Sequence, residues 1–307
     1  DKYSIESGRI FVTGVQALAR IPMVQRQRDV LEGLNTAGFI SGYRGSPVGG
    51  FDQQLWRAKK FLEQNHIRFQ PGLNEDLAAS AIWGSQQTNL HEGGKYDGVF
   101  AIWYGKGPGV DRCGDVFKHG NMSGPAKHGG VLLIAGDDHA AKSSTVPHQS
   151  EYAFMDASIP VLNPAGLQDI VDYGILGFAM SRFSGCWVAF KTTAENMDSS
   201  ASIDVSPDRV KISLPEFDMP EGGLSIRWPD DWIEQEHRLH QYKLNAVRAF
   251  ARQNKIDKII IDSHTPKLGV VTTGKSYLDV RQALEDLGIN EACLLYTSDA
   301  ADELLGV

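Results

Sequence analysis

The amino-acid sequence predicts an α/β fold built on a doubly wound, mostly parallel sheet. From about residue 14 to residue 193, short apolar runs rich in β-branched and aromatic residues alternate with segments of helical period. Such alternation is typical of parallel strands that are covered by helices on both faces. With 307 residues, 42% hydrophobic and 22% charged, the chain has enough apolar material for one large domain or roughly two, which excludes a disordered chain.

The predicted elements of the first domain follow in order along the chain. Strands are predicted over residues 38–43, 67–70, 98–104, 130–136, 159–162 and 186–192. Between the first two strands, apolar residues recur at helical spacing from Phe51 to Leu62 and predict one amphipathic helix. A second helix is predicted over residues 75–89, with an inward face made of Leu77, Ala78, Ala81, Ile82 and Ser85. We assign residues 1–214 to this first domain.

The composition of the chain changes after residue 214. Prolines, two adjacent glycines and several acidic residues make residues 215–232 unsuited to strand or helix, and a helix is predicted from there to about residue 253. We therefore expect a connector and helix over residues 215–255. Two strands (258–262 and 268–273) and a helix (275–287) then begin a second α/β domain over residues 256–292.

The two ends of the sequence have unusual features. The last fifteen residues, 293–307, continue neither a helical period nor a strand alternation. They resemble translated sequencing-adapter sequence, so we expect a non-native tail and assign it no function.

At the other end the sequence begins with Asp1 and shows no signal peptide, and we expect that the natural start has been cut or lost.

Charge and cysteine content limit the function classes. The chain carries 30 basic and 38 acidic side chains, a net charge of −8, so no global basic field favours nucleic acid or an anionic membrane. No apolar run approaches the roughly 18 residues of a membrane span. The cysteines are too few and too scattered for a disulfide framework or a metal site, and we expect free thiols at Cys113, Cys186 and Cys293. A cytoplasmic protein with small-molecule and protein partners is predicted.

Residues 269–276, Gly-Val-Val-Thr-Thr-Gly-Lys-Ser, have the spacing of a phosphate-binding loop. Such a loop needs a permissive backbone whose N–H groups converge on the phosphates, whereas the four residues between its glycines are β-branched and favour a strand. We therefore favour a plain strand-to-helix turn. A nucleotide-binding or regulatory α/β module that uses Lys275 is the alternative.

Glycines follow the strand predicted over residues 98–104, in the sequence Gly105-Lys-Gly107-Pro-Gly109. Open α/β sheets bind ligands at the C-terminal edge of their strands, so this segment is either a tight turn or a loop that approaches a cofactor or a partner domain. The loop after the next strand shows no nucleophile elbow, so no hydrolase is predicted from its polar side chains, His139, Ser143, Ser144 and His148.

Asn74-Glu75-Asp76 opens the helix predicted over residues 75–89. Asparagine is a favourable N-cap, and acidic residues in the first turn suit the helix dipole. Taken alone, this motif is explained by helix capping.

The turn after the first strand of the sheet indicates a functional role for the start of this helix. Residues 42–50 read Gly-Tyr-Arg-Gly-Ser-Pro-Val-Gly-Gly, about thirty residues before Glu75. The pair resembles the N-terminal pyrimidine-binding domain of thiamine-diphosphate-dependent 2-oxoacid:ferredoxin oxidoreductases, in which a Gly-Tyr-Pro-x-Thr/Ser-Pro turn precedes an Asn-Glu helix. Residues 137–139 (Asp-Asp-His), 143–144 (Ser-Ser) and 159–164 (Ile-Pro-Val-Leu-Asn-Pro) are similar to the fused indolepyruvate ferredoxin oxidoreductases. The resemblance covers about residues 8–292 and implies a transketolase C-terminal-like second domain.

The resemblance implies a catalytic role for Glu75. In enzymes of this kind a glutamic acid hydrogen-bonds N1′ of the cofactor pyrimidine and favours the imino tautomer that removes the thiazolium C2 proton. Because proton sharing with N1′ requires shielding from water, we expect Leu73 and Trp83 to pack beside the carboxyl group.

The resemblance also implies binding residues around the turn after the first strand. The cofactor is expected to contact Tyr43, Gly45, Ser46, Pro47 and Gly107 in addition to Glu75. The Ser46 hydroxyl is expected to contact the substrate or the cofactor. Arg44 replaces the usual proline, and its guanidinium either clamps the substrate carboxylate or packs its stem on the surface.

Two motifs of the family are absent from the sequence. These are the Gly-Asp-Gly loop with a downstream Asn, which holds Mg²⁺ and diphosphate, and the Cys-x-x-Cys-x-x-Cys motif of 4Fe-4S clusters. We therefore expect Mg²⁺ and the clusters on sequence outside this fragment, in further domains or subunits, and no turnover by the fragment alone. A homo-oligomer is expected because half-sites of this type are completed across domains or subunits.

The reaction that the resemblance implies is the oxidative decarboxylation of indolepyruvate or another aryl 2-oxoacid to acyl-CoA. Coenzyme A takes the acyl group, and ferredoxin accepts the electrons. The enzymatic alternative is a non-redox thiamine diphosphate enzyme, such as an arylpyruvate decarboxylase.

Overall fold

The α/β fold predicted from the sequence is confirmed. The structure is a computed structural model that describes residues 2–141, 143–289, 294–299 and 301–302. Its strands are β1 (Arg9–Thr13), β2 (Ala37–Gly42), β3 (Ile67–Phe69), β4 (Val99–Lys106), β5 (Val131–Asp137), β6 (Val161–Leu162), β7 (Val188–Thr193), β8 (Ser200–Asp204), β9 (Lys258–Asp262), β10 (Leu268–Thr273), β11 (Leu294–Asp299) and β12 (Ala301–Asp302).

Helices connect these strands along most of the chain. They are α1 (Gly14–Leu31), α2 (Phe51–Arg57), α3 (Lys59–Gln64), α4 (Glu75–Gln86), α5 (Gly107–Arg112), α6 (Gly114–Ser123), α7 (Glu151–Asp156), α8 (Leu167–Ser184), α9 (Ala194–Met197), α10 (Trp232–Arg238), α11 (Leu244–Gln253) and α12 (Lys275–Asp286). A 3-10 turn over Val48–Gly50 precedes α2, and a π-helical turn over Leu239–Lys243 joins α10 to α11.

The main sheet has the strand order β12-β6-β7-β5-β4-β2-β3. The six strands from β2 to β7 pair in parallel, and the two-residue strand β12 adds antiparallel to β6. All six strands predicted for the first domain are present. Because parallel strands end at the same edge, the segments that follow β2, β4 and β5 meet there.

The core lies on both faces of this sheet. Every residue of β5 and β7 is buried, as parallel strands covered on two faces require. One apolar cluster joins α1 and α8 to one face, and a second joins α4 and α6 to the other. Their anchors include Phe178 on the first face and Trp103 and Trp187 on the second, all fully buried.

Two details of the predicted helices are wrong. The single helix expected from Phe51 to Leu62 is divided at Ala58, whose ψ of 0° ends α2 before α3 begins. In α4, Leu77 is exposed, and so is Ala81, whereas Ala79 is buried. The predicted face is shifted because the residues that α4 presents to the sheet and to α6 are Ala78, Ala79, Ile82 and Gln86.

The connector runs without regular structure from β8 to α10 and packs on the first domain. Leu224 is buried, and the Ile226 N–H donates to the Pro125 carbonyl at 2.9 Å. Lys243 is fully buried in the π-helical turn, and its ammonium donates to the carbonyls of Asn121 (3.1 Å) and Met122 (2.8 Å) near the end of α6. The lysine therefore satisfies carbonyl groups that a helix end leaves without partners.

A second, three-stranded sheet has the order β10-β11-β9. Its middle strand, β11, pairs in parallel with β10 and antiparallel with β9. The expectation that residues from 293 onward show no strand pattern is therefore wrong for Leu294–Asp299. The non-native origin of the tail stays a prediction, and residues 293, 300 and 303–307 lie outside the described residues.

Candidate functional site

The turn after β2 is seated on the ends of β4 and β5. The Tyr43 N–H donates to the Tyr104 carbonyl at 3.0 Å. A Cβ atom on Gly45 would lie 2.8 Å from Lys106 Cβ, and one on Gly136 would lie 2.8 Å from Pro47 Cδ. Glycine at these two positions lets the turn approach both neighbouring strands closely.

Ser46 lies in this turn within a group of polar side chains. Its hydroxyl donates to the Asp138 carboxylate, and its Oγ lies 2.5 Å from Ser143 Oγ. Lys106 Nζ lies 2.9 Å from Asp138 Oδ2 and also donates to Ser143 Oγ. Ser46, Lys106, Asp138 and Ser143 therefore form one hydrogen-bonded network, here called the Ser46–Lys106 cluster.

The charges of this cluster are buried while its hydroxyl groups are more open. The Asp138 side chain is 1% exposed and the Lys106 side chain 10%, whereas Ser143 is exposed. Burial alone raises the pKa of the Asp138 carboxyl, but hydrogen bonds from Ser46 and Lys106 and the charge of Lys106 outweigh burial and hold that pKa below its usual range. The Lys106 and Asp138 charges therefore balance each other inside the cluster, and the Ser143 hydroxyl lies on its open side.

Glu75 is the first residue of α4, as the capping motif predicts. Asn74 Oδ1 accepts the N–H of Leu77 at 2.9 Å, which confirms Asn74 as the N-cap. The Glu75 carbonyl accepts a hydrogen bond from Trp103 Nε1 at 3.0 Å, so the indole of β4 fixes the helix start. The Glu75 side chain is half-buried.

The Glu75 side chain packs on α5, at the end of β4. A Cβ atom on Gly109 would lie 2.5 Å from Glu75 Cγ and 2.9 Å from Glu75 Oε1. Within the described part of the chain, no side chain donates a hydrogen bond to this carboxylate. The carboxylate is therefore positioned by packing, and its lone pairs are available to a ligand.

The residues expected to shield Glu75 do not do so. Leu73 is 86% exposed, because it precedes the N-cap where the chain turns outward. Trp83 lies about 12 Å further along α4 and stacks on His119 with ring centroids 6.0 Å apart. Gly109 contacts the Glu75 side chain instead, whereas the Trp103 indole contacts its backbone carbonyl.

Each of the three glycines between residues 105 and 109 is in contact with a different side chain, Gly105 at the end of β4 and Gly107 and Gly109 in α5. A Cβ atom would lie 2.6 Å from the Trp103 ring at Gly105, 2.3 Å from the His148 ring at Gly107 and 2.5 Å from Glu75 at Gly109. The segment forms the short helix α5 with Pro108 in its first turn. These contacts account for the three glycines, and a cofactor contact at Gly107 stays a prediction.

Arg44 and Tyr43 lie at the rim of the turn. Arg44 Nε forms an ion pair with Asp52 Oδ2 at 3.3 Å, and the Arg44 side chain is 71% exposed. Tyr43 is also exposed. The structure therefore brings Ser46, Gly45 and Pro47 together with Lys106, whereas the Arg44 guanidinium points to α2.

A second buried charge group supports the end of β5. Asp137 accepts the N–H of Ser150 at 2.9 Å and its hydroxyl at 2.6 Å. Lys191 of β7 lies 3.9 Å from Asp137 and pairs with Glu151. Burial raises the pKa of Asp137, against the hydrogen bonds from Ser150 and the charge of Lys191. These contacts hold residues 150–151 against the sheet edge.

The candidate phosphate loop is largely a strand. Residues 268–273 form β10, and Gly274, with φ of +56°, turns the chain into α12. A Cβ atom on Gly274 would lie 2.4 Å from Asn163 Oδ1, and Lys275 pairs with Asp279 of its own helix. The plain strand-to-helix turn predicted from the β-branched residues describes this segment.

Sequence reasoning did not identify Lys106 as a site residue. The available signal was a lysine at the end of a buried strand, between two glycines, at the edge where ligands bind.

Among the described residues, no group of three or more His, Cys, Asp or Glu side chains is placed to hold a metal ion. No helix in the described ranges is long and apolar enough to cross a membrane.

Comparison with solved structures identifies the class of fold. The structure matches 2-oxoglutarate:ferredoxin oxidoreductase from Magnetococcus marinus with a TM-score of 0.67 at 15% identity. The match covers 95% of this chain and 54% of that chain, whose structure contains 2-oxoglutarate, coenzyme A and succinyl-CoA. The chain therefore has the fold of part of a 2-oxoacid:ferredoxin oxidoreductase.

Comparison of sequences points to a narrower group of proteins than comparison of folds does. The indolepyruvate oxidoreductase domain family matches residues 258–295. Indolepyruvate oxidoreductase subunit IorA of Pyrococcus horikoshii is 24% identical over 295 residues, which covers 94% of this chain and 41% of that relative. The IorA subunit of Methanothermobacter thermautotrophicus is also 24% identical, over 92% of this chain and 42% of that relative. The chain spans about two fifths of these relatives, and the resemblance to indolepyruvate oxidoreductases is confirmed.

Proposed function

We propose that this chain supplies the pyrimidine half of a thiamine diphosphate site in a 2-oxoacid:ferredoxin oxidoreductase. The observation that carries the proposal is the Glu75 carboxylate, which starts α4 at the C-terminal sheet edge and packs on Gly109 without a hydrogen-bonding partner among the described side chains. The Ser46–Lys106 cluster lies at the same edge, because β2, β4 and β5 all end there.

The residues around Glu75 fit an aminopyrimidine ring. A half-buried carboxylate without a donor suits a ring nitrogen with which it shares a proton. When bound, thiamine diphosphate would supply the nucleophilic carbon and the electron sink for decarboxylation of a 2-oxoacid. Glu75 holds the proton at N1′. The ring is bordered by the turn after β2, through Tyr43, Gly45, Ser46 and Pro47, and by Gly107 of α5.

The Ser46–Lys106 cluster is proposed to bind the carboxylate of the 2-oxoacid. The Lys106 ammonium and the Ser46 hydroxyl lie within hydrogen-bonding distance of the Ser143 hydroxyl, and both donate to Asp138. Because Asp138 already receives charge-assisted hydrogen bonds from Lys106 and Ser46, an incoming carboxylate has to share these donors with it. Arg44, which is paired with Asp52 at the rim, is proposed as an outer contact for the same anion.

The rest of the reaction is assigned to sequence outside this chain. We propose that further domains or subunits, in a homo-oligomer or a larger assembly, carry Mg²⁺, the diphosphate site and 4Fe-4S clusters, and that coenzyme A and ferredoxin bind there. The two relatives are named as subunits, which supports an enzyme of several chains. The proposed substrate class, indolepyruvate and other aryl 2-oxoacids, comes from the same names.

Turnover by the assembled enzyme tests the proposal. With thiamine diphosphate, Mg²⁺ and coenzyme A, we expect indolepyruvate to reduce ferredoxin and form acyl-CoA, with pyruvate and 2-oxoglutarate as weaker substrates. Formation of the aldehyde without ferredoxin reduction would support the decarboxylase alternative instead. Consumption of none of the three acids would contradict both enzymatic readings, and nucleotide binding lost in Lys275→Ala would then favour the regulatory module.

A further inference from the structure

His148 is held on α5 by two contacts. Its ring packs on Gly107, where a Cβ atom would lie 2.3 Å from the imidazole. Its Nε2 lies 2.8 Å from Asp111 Oδ2, one turn further along the same helix. The His148 side chain is only 14% exposed, although its neighbours at residues 145–147 are exposed. The imidazole is therefore the part of this stretch that turns inward.

The segment 143–150 connects His148 with the Ser46–Lys106 cluster. Ser143 begins the segment and contacts both Ser46 and Lys106. Ser150 ends it and donates two hydrogen bonds to Asp137. Between these ends, the hydrogen bond between His148 Nε2 and Asp111 Oδ2 attaches the segment to α5.

His148 also supports the backbone from which Lys106 extends. Gly107, on which the ring packs, directly follows Lys106 at the end of β4. A side chain at position 107 would displace the imidazole, so the packing of His148 requires glycine at this position. The His148 ring therefore acts on two members of the cluster, Ser143 through the segment and Lys106 through the backbone.

We propose that His148 is a positioning residue for the substrate carboxylate. Through Asp111 and Gly107 it fixes the Ser143 hydroxyl and the Lys106 ammonium in the arrangement that receives the anion. The inference rests on the proposed function, because it takes the Ser46–Lys106 cluster as the carboxylate site. It assigns His148 no proton transfer, so its loss weakens substrate binding more than it slows the chemical steps.

The test compares His148 variants in the assembled enzyme. His148→Ala removes both contacts, and we expect the KM for the 2-oxoacid to rise about 10-fold while kcat changes less than about 3-fold. His148→Gln keeps an N–H donor within reach of Asp111, and we expect it to restore KM to within about 3-fold of the parent value. His119→Ala is the matched control, because His119 pairs with Asp115 on the exposed side of α6.

The kinetic results separate a failure of the positioning role of His148 from a failure of the proposed function. An unchanged KM in His148→Ala, a fall in kcat alone, or a failure of His148→Gln to restore KM would overturn the positioning role. If His148→Ala does not fold, Asp111→Ala replaces it, and a smaller rise in KM without a fall in kcat is expected, because the packing of His148 on Gly107 remains. A parent enzyme that oxidises no 2-oxoacid would overturn the proposed function itself, whereas an active parent with an unaffected His148→Ala overturns only this inference.

Discussion

Lys106 Nζ lies 2.9 Å from Asp138 Oδ2, and this ion pair joins the end of β4 to the residue that follows β5. The register of the two strands places Lys106 opposite Gly136, which leaves Asp138 two residues beyond the paired position. Because both side chains are almost fully buried, neither charge is well solvated without the other. The pair is therefore both part of the candidate site and a condition for the stability of the sheet edge.

Replacing Lys106 with Gln should destabilise the chain. The change leaves the Asp138 carboxylate buried without its cation, and breaking a buried pair in this way costs about 3 kcal/mol of unfolding free energy. Chemical denaturation measures the difference. The double variant Lys106→Gln/Asp138→Asn should recover most of the loss, since no unpaired charge is left.

The control for this prediction is an ion pair at the surface. Lys118 pairs with Asp156, but their side chains are 48% and 69% exposed. Lys118→Gln should change the unfolding free energy by less than about 1 kcal/mol. Equal effects of the two lysine substitutions would show that burial of the Lys106 pair does not matter.

Gly109→Ala should impair the site through Glu75. The added methyl group would lie 2.5 Å from Glu75 Cγ and 2.9 Å from Glu75 Oε1, so the carboxylate must move. A displacement of about 1 Å lowers activity by roughly 100-fold in a site that depends on alignment, and we expect a loss of kcat/KM of that order. Steady-state kinetics of the assembled enzyme measure it.

Gly114→Ala provides the matched control for the glycine experiment. Gly114 is the first residue of α6, and a Cβ atom there meets nothing within 4 Å. Alanine at this position should raise the melting temperature slightly, because it restricts the unfolded chain. Full activity in Gly109→Ala, with the melting temperature unchanged, would contradict the packing of Glu75 on this glycine.

Lys243 should make stability depend on alkaline pH. Burial lowers the pKa of Lys243 from 10.5 to about 8, so between these values the unfolded chain binds more protons than the folded chain. The contribution of Lys243 to the free energy of unfolding therefore rises with pH from about 8 to about 10.5. Denaturation of the parent and of Lys243→Met across this range measures the difference.

The difference between parent and variant should increase with pH over that window. Lys211→Met, at a side chain that is 81% exposed, should give a constant difference. A constant difference for Lys243→Met as well would show that its ammonium is not held in the buried position between the connector and α6.

The sequence was sufficient for the parts of the fold that depend on local patterns. Apolar β-branched runs predicted the six parallel strands, and Asn74 predicted the start of α4, because N-capping needs only neighbouring residues. The division of the predicted helix at Ala58 was not predicted, since the apolar stripe continues across it.

The contacts within the candidate site depend on strand register, and they could not be predicted from local sequence patterns. Lys106 meets Asp138 only because β4 and β5 pair in one particular register. Likewise, sequence patterns did not show that glycine is needed at positions 107 and 109. The structure explains both glycines, because His148 packs on Gly107 and Glu75 packs on Gly109. Leu73, expected to shield Glu75, is directed outward instead.

The central claim, that the Glu75 carboxylate acts on the cofactor pyrimidine, is tested most directly by Glu75→Gln in the assembled enzyme, with Asp76→Asn as the control in the same helical turn. We expect Glu75→Gln to lower kcat by at least about 100-fold, which is the scale of a lost acid–base group, and Asp76→Asn to stay within about 3-fold of the parent. A Glu75→Gln enzyme that reduces ferredoxin at the parent rate would contradict the account.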